Sequence, residues 1–317
     1  MSELAPKSAP VRARLAQVDL VVLLHRDAAS VVARSIDALA ASMGPEWAGR
    51  IVLVLNASPP SLVRTATTEL VRQFPSARII SVECRRNLGF AGGVNIGMTQ
   101  TTAPYVGVFN PDGVTAPDTV AQLVAAMEQE PVAFMAGARL VPSMDAELQS
   151  PAGPRSTDWL PGTAAVYRRD TFFALGGFDP GFFMYCEDVD LSRRVRAQGR
   201  ELLFVPEALF QHARGFSRVE SLRRIRMWTV SNSCLVYQYA NPRRRALARL
   251  SRQRRRWFGD LARARRLWTL AGAMLGSVWW VKSIPRLEYR RRHPWDRTAF
   301  ASWLARSMSD VRITDVR

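Results

Sequence analysis

The sequence predicts an α/β protein with a mostly parallel sheet, followed by a strongly basic, tryptophan-rich helical region. Three observations carry this. Short β-branched and leucine runs of buried-strand length alternate with amphipathic helical segments through the first 110 residues. Polar residues fall at the ends of those runs, where α/β sheets bind ligands. The basic charge is concentrated in the last quarter of the chain.

The run "VDLVVLLH" (residues 18–25) reads as a first buried strand, and "AASVVARSIDALAAS" follows with helical spacing at Val32, Ile36 and Leu39. "RIVLVLNAS" gives a second strand that ends at Asn56 and Ser58, residues suited to a turn or cap. "SLVRTATTELVRQF" is a helix and "ARIISVEC" a third strand; "PYVGVFNPDG" is a fourth, closed by a Pro-Asp-Gly turn. Strand–helix alternation implies right-handed crossovers. His25, Asn56, Asn87 and Asp112 then fall at or just beyond the carboxyl ends of the strands, which makes that edge the expected site. The second half is less regular, with a further strand expected in "RELLFVPEALFQH".

Of the net charge of +17, residues 241–317 hold 20 Lys and Arg against 5 Asp and Glu, a balance of +15. Residues 1–240 carry the remaining 24 basic and 22 acidic groups, a balance of +2. The expected organisation is a disordered leader over 1–16, an α/β domain over 17–236, and a basic amphipathic helical region over 237–317. The leader lacks the apolar core of a secretory signal, and no apolar run reaches the 18 residues of a membrane span. Three scattered cysteines suit a reducing compartment and exclude a thiolate zinc site. The basic region, with six of the nine tryptophans, expects an anionic partner: a lipid surface, a nucleic acid or a phosphorylated substrate.

Four stretches could carry chemistry. "NLGFAGGVNIG" (87–97) has four glycines in nine positions, which permits close backbone approach to a ligand or simply a tight strand-to-helix turn. "FNPDG" (109–113) puts Asp112 where a carboxylate suits a hard divalent cation, although a type I turn also explains it. "FFMYCEDVDLSRRV" (182–195) crowds Glu187, Asp188 and Asp190 behind aromatic residues. A helix first turn explains Asp190 and its arginines, whereas Glu187 and Asp188 look like a poised base and its neighbour. His212, one of three histidines, reads on its own as structural.

In order and spacing, these stretches resemble the inverting nucleotide-sugar glycosyltransferases of family 2. "NLGFAGGVNIG", "NPDG", the long segment from Gly162 to Gly199 containing "RR…F…GGFDPGFFMYCEDVDLSRR", and His212 followed by "GFS" all match, over about residues 18–217. The resemblance implies a GT-A fold, the Rossmann-like nucleotide-diphospho-sugar transferase architecture. It implies Asp188 as the base, with Glu187, Trp159 and Gly162 on the acceptor side. His25, Asn56, Asn87, Gly92, Gly93, Asn95, Asn110, Asp112 and Arg194 would contact the nucleotide sugar, and Asp112 and His212 would hold Mg²⁺ or Mn²⁺. No covalent nucleophile is needed, so one active carboxylate suffices, unlike the pair of a glycoside hydrolase. The second strand's usual aspartate is replaced by Leu55, so the family's contact to the nucleotide base has no counterpart there.

Within the family, the wording is most similar to bacterial rhamnosyltransferases of cell-wall and polysaccharide assembly. The partners so implied are dTDP-rhamnose, a polyprenyl-diphosphate-linked saccharide, and an anionic membrane surface contacted by 241–317 on the cytoplasmic side. The alternatives are another donor (UDP-galactofuranose, a UDP-hexose or GDP-mannose), or a non-enzymatic protein whose basic region binds nucleic acid or membrane. The apolar run Leu267–Val281, flanked by arginine and tryptophan, favours membrane over nucleic acid.

Overall fold

A computed structural model of the chain describes residues 13–141, 153–212, 227–228, 231 and 295–316. The apolar run 267–281, with the rest of 241–294, lies outside the described residues. The expected strands are all present: β1 (Val18–Leu24), β2 (Arg50–Asn56), β3 (Arg78–Cys84) and β4 (Tyr105–Phe109). Helices α1 (Ala29–Met43), α2 (Pro60–Gln73) and α3 (Gly89–Met98) connect them. These four strands are parallel in the order β3-β2-β1-β4, as crossover connections through helices require.

The sheet then extends through shorter, mostly antiparallel pairings. β5 (Gly113–Thr115), α4 (Thr119–Gln129), β6 (Ala133–Val141), β7 (Arg155–Ser156) and β8 (Ala165–Arg168) come next. They are followed by α5 (Arg169–Ala174), α6 (Glu187–Ala197) and β9 (Glu201–His212). β8 runs antiparallel to β4 and β6, whereas the long β6–β9 ladder is parallel. Two apolar layers cover the faces. One joins the sheet to α1, α2 and α4; the other includes α3, α6 and the ring cluster Phe134, Tyr167, Phe172 and Phe178.

Two boundaries differ from the sequence expectation. The end of the supposed leader is ordered: Leu15 is buried in the core and its carbonyl accepts the Trp47 indole N–H at 3.0 Å. The far end of the basic region is built into the domain as α7 (Arg297–Met308) and β10 (Val311–Asp315). β10 pairs antiparallel with β3 and closes that edge of the sheet. Phe300 is buried in contact with Phe173, and the Trp295 indole donates to the Gly176 carbonyl at 2.7 Å.

Candidate active site

The carboxyl ends of β1, β2 and β3 are tied together by polar side chains. The His25 ring donates from Nδ1 to the Asn56 carbonyl at 2.7 Å, which leaves Nε2 to accept from Asn87 Nδ2 at 3.0 Å. Asn87 Oδ1 in turn accepts from Asn56 Nδ2 at 3.0 Å and from the Gly89 amide at 2.8 Å. Asn56 Oδ1 accepts from the Leu88 amide at 2.7 Å. His25, Asn56 and Asn87 are therefore brought together, and they fix the loop that opens α3. Leu55 is buried in the core and carries no polar group toward this rim.

Four residues expected at the nucleotide sugar serve the scaffold instead. A Cβ on Gly93 would lie 2.4 Å from the Leu23 side chain, and one on Gly92 would meet Leu88 and the Trp303 ring. These glycines let α3 pack closely on β1 and beneath α7. Asn95 is fully buried; its amide donates to the Phe178 carbonyl at 2.7 Å and its Oδ1 accepts the Phe178 amide at 2.9 Å. Arg194 points inward, to Asp190 at 2.9 Å and to the carbonyls of Leu175 and Gly177 at 2.6 and 2.7 Å. It neutralises a fully buried carboxylate, as burial of Asp190 demands.

Beyond β4, Asn110 accepts from the Ser35 hydroxyl through its carbonyl at 3.4 Å. Asp112 follows on the turn into β5, where Gly113 pairs with His212 of β9. That register brings Asp112 Oδ1 within 3.3 Å of His212 Nε2. A carboxylate beside an imidazole is a donor pair that Mg²⁺ or Mn²⁺ accepts, with open positions for a diphosphate and water. Among the described residues no third His, Cys, Asp or Glu converges on such a position. Asp112 and His212 would therefore supply two protein ligands to a divalent cation.

The acidic stretch is held by strained backbone. Phe183, Tyr185 and Cys186 have φ of 59°, 68° and 68°, a left-handed conformation unfavourable for each of them. The Phe183 carbonyl accepts the Phe90 amide at 2.8 Å, so the glycine-rich loop grips the acidic one. Ser231 Oγ lies 2.7 Å from the Met184 carbonyl and 3.0 Å from that of Phe182. Sequence reading missed this clamp because left-handed φ at Phe, Tyr and Cys has no residue signature.

Glu187 and Asp188 begin α6 and divide by environment. Asp188 is half-buried; its Oδ1 accepts the Val189 amide at 2.8 Å and its Oδ2 the Gly162 amide at 3.3 Å. Burial raises its carboxyl above the ordinary value, while those amides oppose the rise. Glu187 is buried, and its Oε2 has no hydrogen-bond partner among the described residues. Burial first, and the Asp188 charge second, push it well above the usual carboxylate range. The two amides favour charge on Asp188, whereas burial favours the neutral form of Glu187. Tyr167, also unforeseen, donates to the Gly162 carbonyl at 3.1 Å, and burial followed by the neighbouring acids holds its hydroxyl neutral.

Gly162 precedes β8, which starts opposite Val108 of β4, so Asp188 and Asp112 share one edge of the sheet. Trp159 lines a cavity with Asp158, Val189, Arg193 and Arg196.

A parallel β3-β2-β1-β4 core with a polar rim, an acid after β4 and another opening α6 is the GT-A architecture of nucleotide-sugar transferases. Solved structures agree in fold. A mannosyltransferase from Pyrobaculum calidifontis in complex with GDP-Man and Mn²⁺ superposes with a TM-score of 0.58 at 16% identity, over 93% of this chain and 86% of that one. GalNAc-T7 with UDP, GalNAc and Mn²⁺ gives 0.54 at 15% identity, over 71% and 51%. Residues 20–191, more than half of the chain, match the profile of glycosyl transferase family 2, and the chain belongs to that family.

Curated relatives include the N-acetylglucosaminyl-diphospho-decaprenol L-rhamnosyltransferase of Mycobacterium tuberculosis, 41% identical over 63 residues, or 20% of each chain. Rhamnosyltransferase WbbL of Escherichia coli K12 is 45% identical over 49 residues, covering 16% of this chain and 19% of that one. The matches thus span about a fifth of the length of these relatives.

Proposed function

We propose that this family 2 glycosyltransferase transfers L-rhamnose from dTDP-rhamnose, with inversion, to a hydroxyl of a polyprenyl-diphosphate-linked saccharide. The observation that carries the reaction is the unequal pair at the start of α6. Asp188 is amide-anchored and of raised proton affinity, next to a buried Glu187 whose carboxyl burial pushes well above the usual carboxylate range. Asp188 takes the proton of the acceptor hydroxyl while that oxygen attacks the anomeric carbon. The bond from that carbon to the diphosphate breaks on the opposite face, which inverts the configuration. Glu187, as a neutral donor, orients the acceptor.

Asp112 and His212 would hold Mg²⁺ or Mn²⁺, which neutralises the departing diphosphate. The rhamnose donor and the diphosphate-linked acceptor are supported by the names of the curated relatives, and divalent metal by the Mn²⁺ named with both solved neighbours. Among the described residues no helix is long and apolar enough to cross a membrane. Residues 241–294 carry 16 Lys and Arg against 2 Asp and Glu. That charge supports attachment to an anionic leaflet on the cytoplasmic side.

The test is a panel of nucleotide sugars offered with N-acetylglucosaminyl diphosphate on a short isoprenoid, under Mg²⁺ and Mn²⁺. The expected result is metal-stimulated transfer from dTDP-rhamnose giving the inverted anomer. Turnover of a UDP or GDP sugar alone would replace the donor assignment, and no turnover of any donor would overturn the enzymatic reading.

A further inference from the structure

The turn leading into α6 has a conformation that its own residues disfavour, and contacts from outside hold it there. Phe183 has φ 59° and ψ −56°, and the Met184 amide donates to the Phe182 carbonyl at 2.6 Å. This is a γ-turn of the rare, strained hand. Tyr185 and Cys186 follow with φ of 68° each, and Glu187 opens the helix directly after them. None of these residues is glycine or asparagine, so the conformation persists only where its surroundings impose it.

The surroundings do so through each carbonyl of the turn. That of Phe183 accepts the Phe90 amide of the glycine-rich loop at 2.8 Å. Those of Phe182 and Met184 lie 3.0 and 2.7 Å from Oγ of the buried Ser231, which comes from beyond β9 in the chain. A hydroxyl has a single proton to donate, so the carbonyls on either side of Phe183 share it. Were Phe183 to relax to negative φ, those two carbonyls would no longer converge on one donor. The start of α6 would shift with the turn, and with it the reach of Asp188 Oδ2 to the Gly162 amide, 3.3 Å in the held conformation.

We propose that Ser231 is a positioning residue for the reaction, its hydroxyl holding the Phe182–Met184 turn in the strained conformer that presents Asp188 to the acceptor. The role rests on Asp188 being the base. Ser231 is itself buried beneath the turn's carbonyls, so its influence falls on kcat and not on donor binding.

The experiment compares Ser231→Ala, Ser231→Thr and Trp295→Phe in the full chain. Trp295 donates to the Gly176 carbonyl at the other end of the same loop, so its variant loses a loop contact but not the turn. The readouts are transfer kinetics with a nucleotide sugar and hydrogen exchange at the Gly162 amide, which reports the Asp188 contact without need of turnover. Ser231→Ala should lower kcat about tenfold, leave the donor KM unchanged and speed Gly162 exchange about tenfold. Ser231→Thr keeps the hydroxyl and should restore most of both. Trp295→Phe should lower the melting temperature while leaving kcat and Gly162 exchange at wild-type values.

Wild-type kcat and exchange in Ser231→Ala overturn the assignment. Equal changes in Trp295→Phe also overturn it, since the effect is then one of general stability. If Gly162 exchange responds to Ser231 as expected yet the wild type turns over no nucleotide sugar, the proposed reaction fails and the placement of Asp188 by Ser231 stands.

Discussion

The proposed reaction gives Asp188 and Glu187 opposite roles although they are adjacent in sequence, and their surroundings differ: Glu187 is the more deeply buried, whereas Asp188 accepts the Val189 and Gly162 amides. The assignment makes Asp188→Asn a clean test. It preserves shape and the Val189 amide contact to one oxygen, gives up the longer Gly162 contact, and removes proton uptake, so kcat should fall by about 10²–10⁴ while donor affinity measured by calorimetry stays the same. Retained kcat would move the base elsewhere. Glu187 gives a second prediction through linkage. Its folded-state proton affinity exceeds that of the unfolded chain, whose carboxyl titrates near 4.5. The stability from the neutral side chain is therefore complete below that pH and is lost as pH rises toward the folded value. Glu187→Gln cannot ionise, so its melting temperature should match the wild type near pH 4 and exceed it increasingly above about pH 6. A gap that shrinks with rising pH would contradict the neutral assignment.

At the level of elements, the glycine-rich loop opening α3 and the acidic loop opening α6 are one device. A Cβ on Gly89 would fall 2.0 Å from the Phe183 carbonyl oxygen, and its φ of +73° is left-handed. Gly89→Ala should cost about 1–3 kcal/mol in chemical denaturation and displace the acidic loop, with a loss of kcat. Gly89→Asn tolerates the φ but still carries the Cβ, so it should be no better; rescue by Asn would show that conformation alone matters. This coupling also explains what was legible in the sequence. The four parallel strands could be read because buried strands show as continuous apolar runs, and Asn56, Asn87 and Asp112 because they end those runs. Gly92, Gly93, Asn95 and Arg194 belong to the same motifs, yet residue type does not give direction. The groups they face (Trp303, Leu23, Phe178 and Asp190) become visible only once the chain has folded. β10 was hidden for another reason: "VRITD" is short and mostly exposed, without the apolar run of a central strand.

For the molecule as a whole, the return of residues 295–316 to the domain separates structural from charged parts of the basic region. These residues close the sheet through five registered β10–β3 positions, Val311 to Asp315, with Arg78 also bonded to Asp315 at 3.0 Å. They also seat Phe300 against Phe173 and Trp303 over Gly92. Removing residues 295–317 should therefore expose the whole edge of β3, a template for pairing with another chain, together with the apolar surface beneath α7. The exposed Arg78–Asp315 pair contributes little to this balance, so the loss is chiefly one of packing and of backbone pairing. Phe300→Ala isolates the packing component and should cost about 3–5 kcal/mol without opening the edge. The expected pattern is thus a lowered melting temperature in both proteins, but increased self-association in sedimentation only for the shortened chain. Liposome binding should survive in both, because residues 241–294, with 16 basic and 2 acidic groups, keep a net charge of +14 of the basic region's +15. If the shortened chain keeps its melting temperature and associates no more than the full chain, β10 is not the element that seals the sheet. If it loses liposome binding while remaining folded, the contact with anionic lipid belongs to 295–317 instead.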